Sequence, residues 1–299
     1  MTFLTDLRYR LEYFVLRLII GFFRLLPLDA AADVSAWIWR TVAPRTRRQK
    51  KALDNLAIAF PDMPMEERVR ITQSMWDNMG RVMVEMMQID RILEQPDRIS
   101  LDSDFFIHRY KGKMGPAIAV SMHMGNWELA MWPLALCDAK PAAVYRLVKN
   151  PYVDEYLRSM RKQLYPGGLF AKGRVGGRAA GYDTARQLGE FARKGGRLAF
   201  LADLYDGKGI EVPFFGRPAK SAPFPAMLAR RAGSRLWIGR CLRQGRSSRF
   251  RVSVKELRVP RSADNEADVV ELTSAIQKQF EDWIRETPEQ WMWSNRRFS

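Results

Sequence analysis

The stretch Ser121-Met122-His123-Met124-Gly125-Asn126-Trp127-Glu128 carries the residue types from which a reaction could be built. His123 is one of only two histidines in the chain. An imidazole titrates near neutrality and can take a proton from a hydroxyl group. Glu128 follows five residues later. A carboxylate that accepts from the other ring nitrogen fixes the tautomer and stabilises the imidazolium that forms. The expectation is therefore a His123 base oriented by Glu128.

The elements that must position this pair are legible around it. The apolar run Pro116 to Val120 reads as a short buried strand, Gly125 marks a turn, and Trp127 to Leu136 reads as the start of a helix. A strand that ends in a loop and opens a helix is where α/β sheets hold their chemistry. Further strands are predicted at Ala142 to Val148, Arg197 to Asp203, Arg235 to Leu242 and Phe250 to Val259, the last two joined as a hairpin, with mixed strand character from Arg98 to Tyr110. Helices are predicted over residues 7 to 26, Asp29 to Arg40, Ile71 to Met87 and Val269 to Glu286, with a stop at Pro61 and a restart after Pro64. The second histidine, His108, sits between Ile107 and Arg109 and is left outside the site.

Several residues downstream could hold a substrate. Arg146 falls at a strand end, where a guanidinium can grip a phosphate or carboxylate in two hydrogen bonds. Lys172-Gly173-Arg174-Val175-Gly176-Gly177-Arg178 is a glycine-rich basic loop suited to covering an anion. It is neither a Walker A loop nor a dinucleotide fingerprint. Asp203 is placed at the carboxyl end of a strand, and Phe214 and Phe215 either line an apolar channel or fill the core.

The 299 residues carry a net charge of +16, which points to anionic partners. Two cysteines without pair spacing imply neither a zinc site nor a disulfide framework. No cleavable signal peptide is evident, and Arg17 and Arg24 interrupt the first apolar stretch, so an uninterrupted membrane span is missing. Residues 7 to 26 put Leu11, Phe14, Val15, Leu18, Phe22 and Leu25 on one helical face, with Arg10, Arg17 and Arg24 as a basic stripe. The leading expectation is a helix lying in a lipid interface, its arginines near phosphates. Packing on the protein's own core and a tilted spanning helix are the alternatives. A basic nucleic-acid-binding protein is the competing non-enzyme class, although no nucleic-acid motif is present and no nucleic acid is expected as a partner.

His123 and Glu128 match the His-x4-Asp/Glu motif of glycerolipid-type acyltransferases, and His-Met-Gly-Asn-Trp-Glu resembles the lipid A late acyltransferases, the lauroyl and myristoyl transferases of Gram-negative bacteria. Other blocks resemble the family in the same order: Asp54-Asn55-Leu56 through Phe60-Pro61, Tyr145-Arg146 with Asn150-Pro151, Phe214-Phe215-Gly216, Pro223 to Ala232, and Pro288 to Phe298. Two positions depart from the pattern. Leu204 follows Asp203 where relatives often carry glutamine, and Asn295 stands where a histidine usually precedes the paired arginines.

The resemblance implies transfer of a fatty acyl chain from acyl carrier protein to a hydroxyl of a lipid A precursor, in lipopolysaccharide biosynthesis. Neither metal nor cofactor is required. Another glycolipid, a phosphoinositide mannoside, a lysophospholipid or an aminolipid are alternative acceptors. His123 and Glu128 are the catalytic candidates. Asn126, Arg146, Asn150, Arg178, Asp203, Phe214 and Phe215 are the substrate-binding ones. Backbone amides around Gly125 and the helix start, or Arg146, are expected to meet the oxyanion. The fold expected is α/β, a central mixed sheet flanked by helices, with a helical membrane-associating region over residues 1–50 and an acyltransferase domain over 51–299. Attachment is expected on the cytoplasmic face of the inner membrane, peripheral or through a single N-terminal anchor, where an anionic membrane surface is a further partner.

Overall fold

A computed structural model describes residues 2–102, 115–136, 138–172, 174–175, 178–179 and 181–298; His108 lies outside them. Four helices come first: α1 (Phe3–Leu25), α2 (Leu28–Val42), α3 (Arg47–Ala59) and α4 (Met65–Met87). Pro61 and Pro64 separate α3 from α4, as a residue without a backbone donor requires. The short α5 (Ile89–Leu93) leads into β1 (Ile99–Leu101). Then come β2 (Ala117–Ser121), α6 (Trp132–Leu136), β3 (Ala142–Arg146), α7 (Pro151–Arg161) and β4 (Gly168–Lys172). Two short strands, β5 (Arg174–Val175) and β6 (Arg178–Ala179), precede α8 (Gly181–Arg193) and β7 (Arg197–Leu201). The chain closes with β8 (Ile210–Phe214), β9 (Arg217–Ser221), α9 (Phe224–Arg231), β10 (Arg235–Arg243), β11 (Phe250–Leu257) and α10 (Asn265–Glu286).

The central sheet has seven strands in the order β1-β11-β10-β2-β7-β3-β4. From β10 to β4 neighbours are parallel, whereas β11 runs against β10 and takes β1 alongside it. This is the mixed sheet expected, with the Arg235 and Phe250 strands paired as a hairpin. The strand order carries the key point for function. β7 is inserted between β2 and β3, so two strands about 80 residues apart in sequence end side by side. β2 is buried along its whole length because both faces of the sheet are covered. Its alternate residues serve different cores: Ile118 and Val120 join the cluster built on α3, α4, α9 and α10, and Ala117 and Ala119 join the one containing Ile92, Leu134 and Trp237.

The entry helices are tied to this body at defined points. α2 meets α4 where Ser35 Oγ donates to the Gly80 carbonyl at 2.7 Å, and a Cβ on Gly80 would lie 2.7 Å from the Ser35 carbonyl oxygen. α1 buries only Ile20 and Phe23, while Leu7, Leu11, Phe14, Leu18 and Phe22 are each more than half exposed. The arginine stripe also has partners within the protein. Arg10 pairs with Asp6 at 2.7 Å and lies over the Tyr152 ring, Arg17 lies 4.7 Å over Tyr156, and Arg24 grips Asp90 through two bonds of 2.6 and 2.9 Å. The stripe is the helix's seam with α7 and α5, because carboxylates and tyrosine rings there offer the cations partners. Among the described residues no helix is long and apolar enough to cross a membrane.

Candidate active site

His123 stands in the loop that leaves β2, and Asp203 follows the end of β7. The Ala202 amide donates to the Ser121 carbonyl at 3.0 Å, which extends the β2–β7 pairing to the site. Asp203 Oδ1 lies 2.9 Å from His123 Nδ1, and its Oδ2 accepts from the His123 backbone amide and from the Trp291 indole Nε1, each at 2.9 Å. The Asp203 carboxylate is completely buried, whereas the His123 ring is partly open to solvent. Burial alone would push the Asp203 carboxyl up. The facing His123 charge and the hydrogen bonds from His123 and Trp291 outweigh it and hold the carboxyl below its ordinary value. With Nδ1–H directed at Asp203, Nε2 is the ring nitrogen left to take a proton.

Glu128 differs from its expected role. Its two oxygens accept from Arg161 Nε and Nη2 at 3.0 and 2.7 Å, a two-pronged pair with the last residue of α7. The turn after Gly125 directs Glu128 to α7, and the carboxylate on the ring is that of Asp203. Burial lowers the Arg161 pKa, but Glu128 more than restores it, so the guanidinium stays charged. Its Nη2 also contacts Met86 Sδ at 3.1 Å.

The loop between these residues is locked from three sides. Gly125 has φ +54, and a Cβ there would fall 1.8 Å from the Cys241 carbonyl oxygen, so only glycine fits against β10. The amides of His123, Met124, Gly125 and Asn126 donate to Asp203, Met122, Gln290 and Cys241 respectively. Backbone amides up to Asn126 are thus committed within the protein, in contrast to the oxyanion role expected around Gly125. Beneath the loop, Glu85 and Arg243 form a fully buried ion pair. Asn126 Nδ2 donates to Glu85 at 2.9 Å, Arg243 Nε to Asn78 at 3.0 Å, and Asn78 Nδ2 to the Gly125 carbonyl at 3.0 Å.

The remaining expected site residues are placed as follows. Asn126 is buried on Glu85 and supports the loop from inside. Asn150 is buried as the N-cap of α7, accepting from the Tyr152 and Val153 amides and donating to the Tyr9 carbonyl and Glu12 of α1. It joins two helices, and its polar atoms are occupied there. Arg146 is exposed at the carboxyl end of β3. Beside it, burial and the bond to Asp154 raise the Tyr145 hydroxyl to about 12. Arg178 begins β6, which pairs with β5 rather than with the central sheet. Asp203 has both oxygens taken by its three donors, so it serves His123 and not a substrate. Phe214 and Phe215 are buried in an aromatic cluster with Phe60, Trp291 and Trp293. Phe215 makes the β8–β9 turn at φ +51 and donates its amide to Glu281 at 2.6 Å.

Arg161 and Trp291 were not among the expected site residues. Asn150-Pro151, a capping residue before a proline at the first helical position, is the signal that would have found α7. Among the described residues, no group of acidic, histidine and cysteine side chains is arranged to hold a metal ion, and Cys241 is buried and free.

Compared with protein families, residues 1–299 match the model described as bacterial lipid A biosynthesis acyltransferase. Among curated proteins nothing matches the chain.

Proposed function

Because the chain belongs to the bacterial lipid A biosynthesis acyltransferase family, we propose that it moves a fatty acyl group from an acyl carrier protein thioester to a hydroxyl of a lipid A precursor. The observation that carries the chemical part is the His123–Asp203 pair at the ends of two adjacent parallel strands. The acceptor O–H gives its proton to His123 Nε2 as its oxygen attacks the thioester carbonyl. A C–O bond forms and the carbonyl becomes an oxyanion. When the oxyanion collapses, the C–S bond breaks and the departing sulfur takes the proton from the imidazolium. Asp203 keeps the ring in the productive tautomer and balances its transient charge. Arg161, fixed in direction by Glu128, is our candidate for stabilising the oxyanion. Neither step needs a covalent enzyme intermediate.

The charge of the chain favours the same partners. A net charge of +16 suits both an acidic carrier protein and a phosphorylated lipid acceptor. We assign the exposed apolar face of α1 to the surface of an anionic membrane on the cytoplasmic side, where the acceptor lipid resides. Asn150 ties α1 to the start of α7, beside the carboxyl end of β3. That arrangement keeps the lipid-facing helix near the edge of the sheet on which the site is built. The test is an acyl-transfer assay with labelled carrier-protein thioesters and a panel of acceptors, a lipid A precursor and lysophospholipids among them. Transfer to the lipid A precursor, lost in His123→Ala, supports the reading. Exclusive transfer to a lysophospholipid would replace the acceptor, and an equally active His123→Ala chain would remove the base.

A further inference from the structure

After α10 the chain returns across the site as a strap. Gln290 accepts from the Gly125 amide at 3.0 Å, the Met292 amide donates to the His123 carbonyl at 2.9 Å, and Trp291 pairs antiparallel with Met124 between them. The strap therefore holds the main chain of the His123 loop on both sides of the histidine. Its central side chain, Trp291, is 1% exposed and reaches the Asp203 carboxylate with its one polar atom. The indole cannot swing away. Trp293 meets it edge-on at 4.6 Å, and Phe214 is at 6.1 Å.

We propose that Trp291 is a positioning residue for proton transfer: its indole N–H pins Asp203 Oδ2, so that Oδ1 is the oxygen presented to His123 Nδ1. This inference rests on the reading of His123 as the base. Asp203 Oδ2 has two fixed donors, the His123 amide and the Trp291 indole, and both are rigidly carried. An indole donor suits the task, because it neither accepts nor titrates, and its large ring is clamped by packing. Another charged group near the carboxylate is Arg297, which is also fully buried. It donates to Gln277 and Ser221 at 2.9 Å and to the Lys220 carbonyl at 3.2 Å, and it lies 4.1 Å over Phe214. Gln277 in turn donates to the Ala202 carbonyl, one residue before Asp203. These partners of Arg297 are neutral, so Trp291 and His123 remain the direct donors to the carboxylate.

The experiment compares Trp291→Phe with Trp293→Phe in acyl transfer across pH. Trp291→Phe keeps a ring and deletes the donor. Trp293→Phe deletes an indole bond to the Pro288 carbonyl in the same strap. Losing a hydrogen bond to a charged group predicts a fall in kcat of about 10-fold or more for Trp291→Phe, with KM little changed. The acidic limb of its pH profile should move to higher pH, because the less-solvated carboxylate holds the imidazolium more strongly. Trp293→Phe keeps an aromatic ring against Trp291, so it should lower thermal stability and leave the profile in place. In an Asp203→Asn background Trp291→Phe should have no further effect on kcat, whereas a purely structural role would be additive. Wild-type kcat and pH profile in Trp291→Phe, beside an inactive His123→Ala, would overturn the inference and leave the base intact. The same shift in Trp293→Phe would overturn it too. An active His123→Ala would overturn the reading beneath it. Should Trp291→Phe fail to fold, the indole N–H resonance of Trp291 in the otherwise unchanged chain should shift on Asp203→Asn; an unmoved resonance would contradict the contact.

Discussion

Two carboxylates flank the His123 loop, and their surroundings differ. Asp203 is sealed from solvent and takes hydrogen bonds from a ring, a backbone amide and an indole. Glu128 is also buried but faces a single guanidinium, Arg161, that is itself about one-fifth exposed. One carboxylate has its orientation set by the fold. The other sets the orientation of a cation. The difference teaches that closeness in sequence is a poor guide to which acid serves a histidine. Glu128 is five residues from His123 and bonded to α7, whereas Asp203 is 80 residues away and bonded to the ring.

The largest expected effect is at His123 itself. His123→Ala should lower kcat by about 10²–10⁴-fold, the usual worth of a positioned general base, in a chain whose circular dichroism is unchanged. Next is the cation of the second pair. Arg161→Lys should lose about tenfold or more in kcat and not rescue Arg161→Ala fully, because an ammonium cannot reproduce the two-pronged grip on Glu128. Full activity in the lysine variant would show that charge alone suffices. The support beneath the loop should show itself in stability. Glu85→Ala leaves Arg243 buried without its carboxylate and should cost about 3–5 kcal/mol in denaturant unfolding. A cost under about 1 kcal/mol would mean that the pair does not hold the loop.

Acid sensitivity sharpens the contrast further. The Asp203 carboxyl is lowered in the folded chain relative to its unfolded value near 3.9. The unfolded state therefore binds the proton more readily, and the stability due to this ionised carboxylate is present above about pH 4 and lost as pH falls below it. Asp203→Asn should flatten that part of the stability curve. The smallest effect on the chemistry is expected from Leu11→Glu, Phe14→Glu and Leu18→Glu together. These side chains are exposed, so folding and transfer to a detergent-dispersed acceptor should change little while sedimentation with anionic vesicles is lost. Unchanged sedimentation would remove α1 from the membrane assignment.

Much of the fold was legible in the sequence, and the reasons are local. The proline pair after Ala59 separated α3 from α4, and the apolar runs at Ile118 and Leu198 marked the two strands that carry the site. Asp203 was correctly set at a strand end, but its partner was not. Pairing it with His123 needs β7 to be inserted next to β2, a fact of sheet order that no local spacing records. Trp291 was hidden for the same reason, because its strap meets the loop only after the whole sheet has formed. Asn150 looked available for a substrate, yet its amide closes α7 and binds α1. The arginines of α1 showed a true heptad stripe, but Asp90, Tyr152 and Tyr156, which receive them, lie on other helices.

The most direct test of the account is the pH–rate profile of acyl transfer for Asp203→Asn and Glu128→Gln measured side by side. Asp203→Asn should lose about 10²-fold or more in kcat with its acidic limb displaced. Glu128→Gln should lose rate through a loosened Arg161 and keep the limb where the unchanged chain has it. A displaced limb in Glu128→Gln, with Asp203→Asn close to full activity, would contradict the assignment and return the orienting role to the carboxylate nearer in sequence.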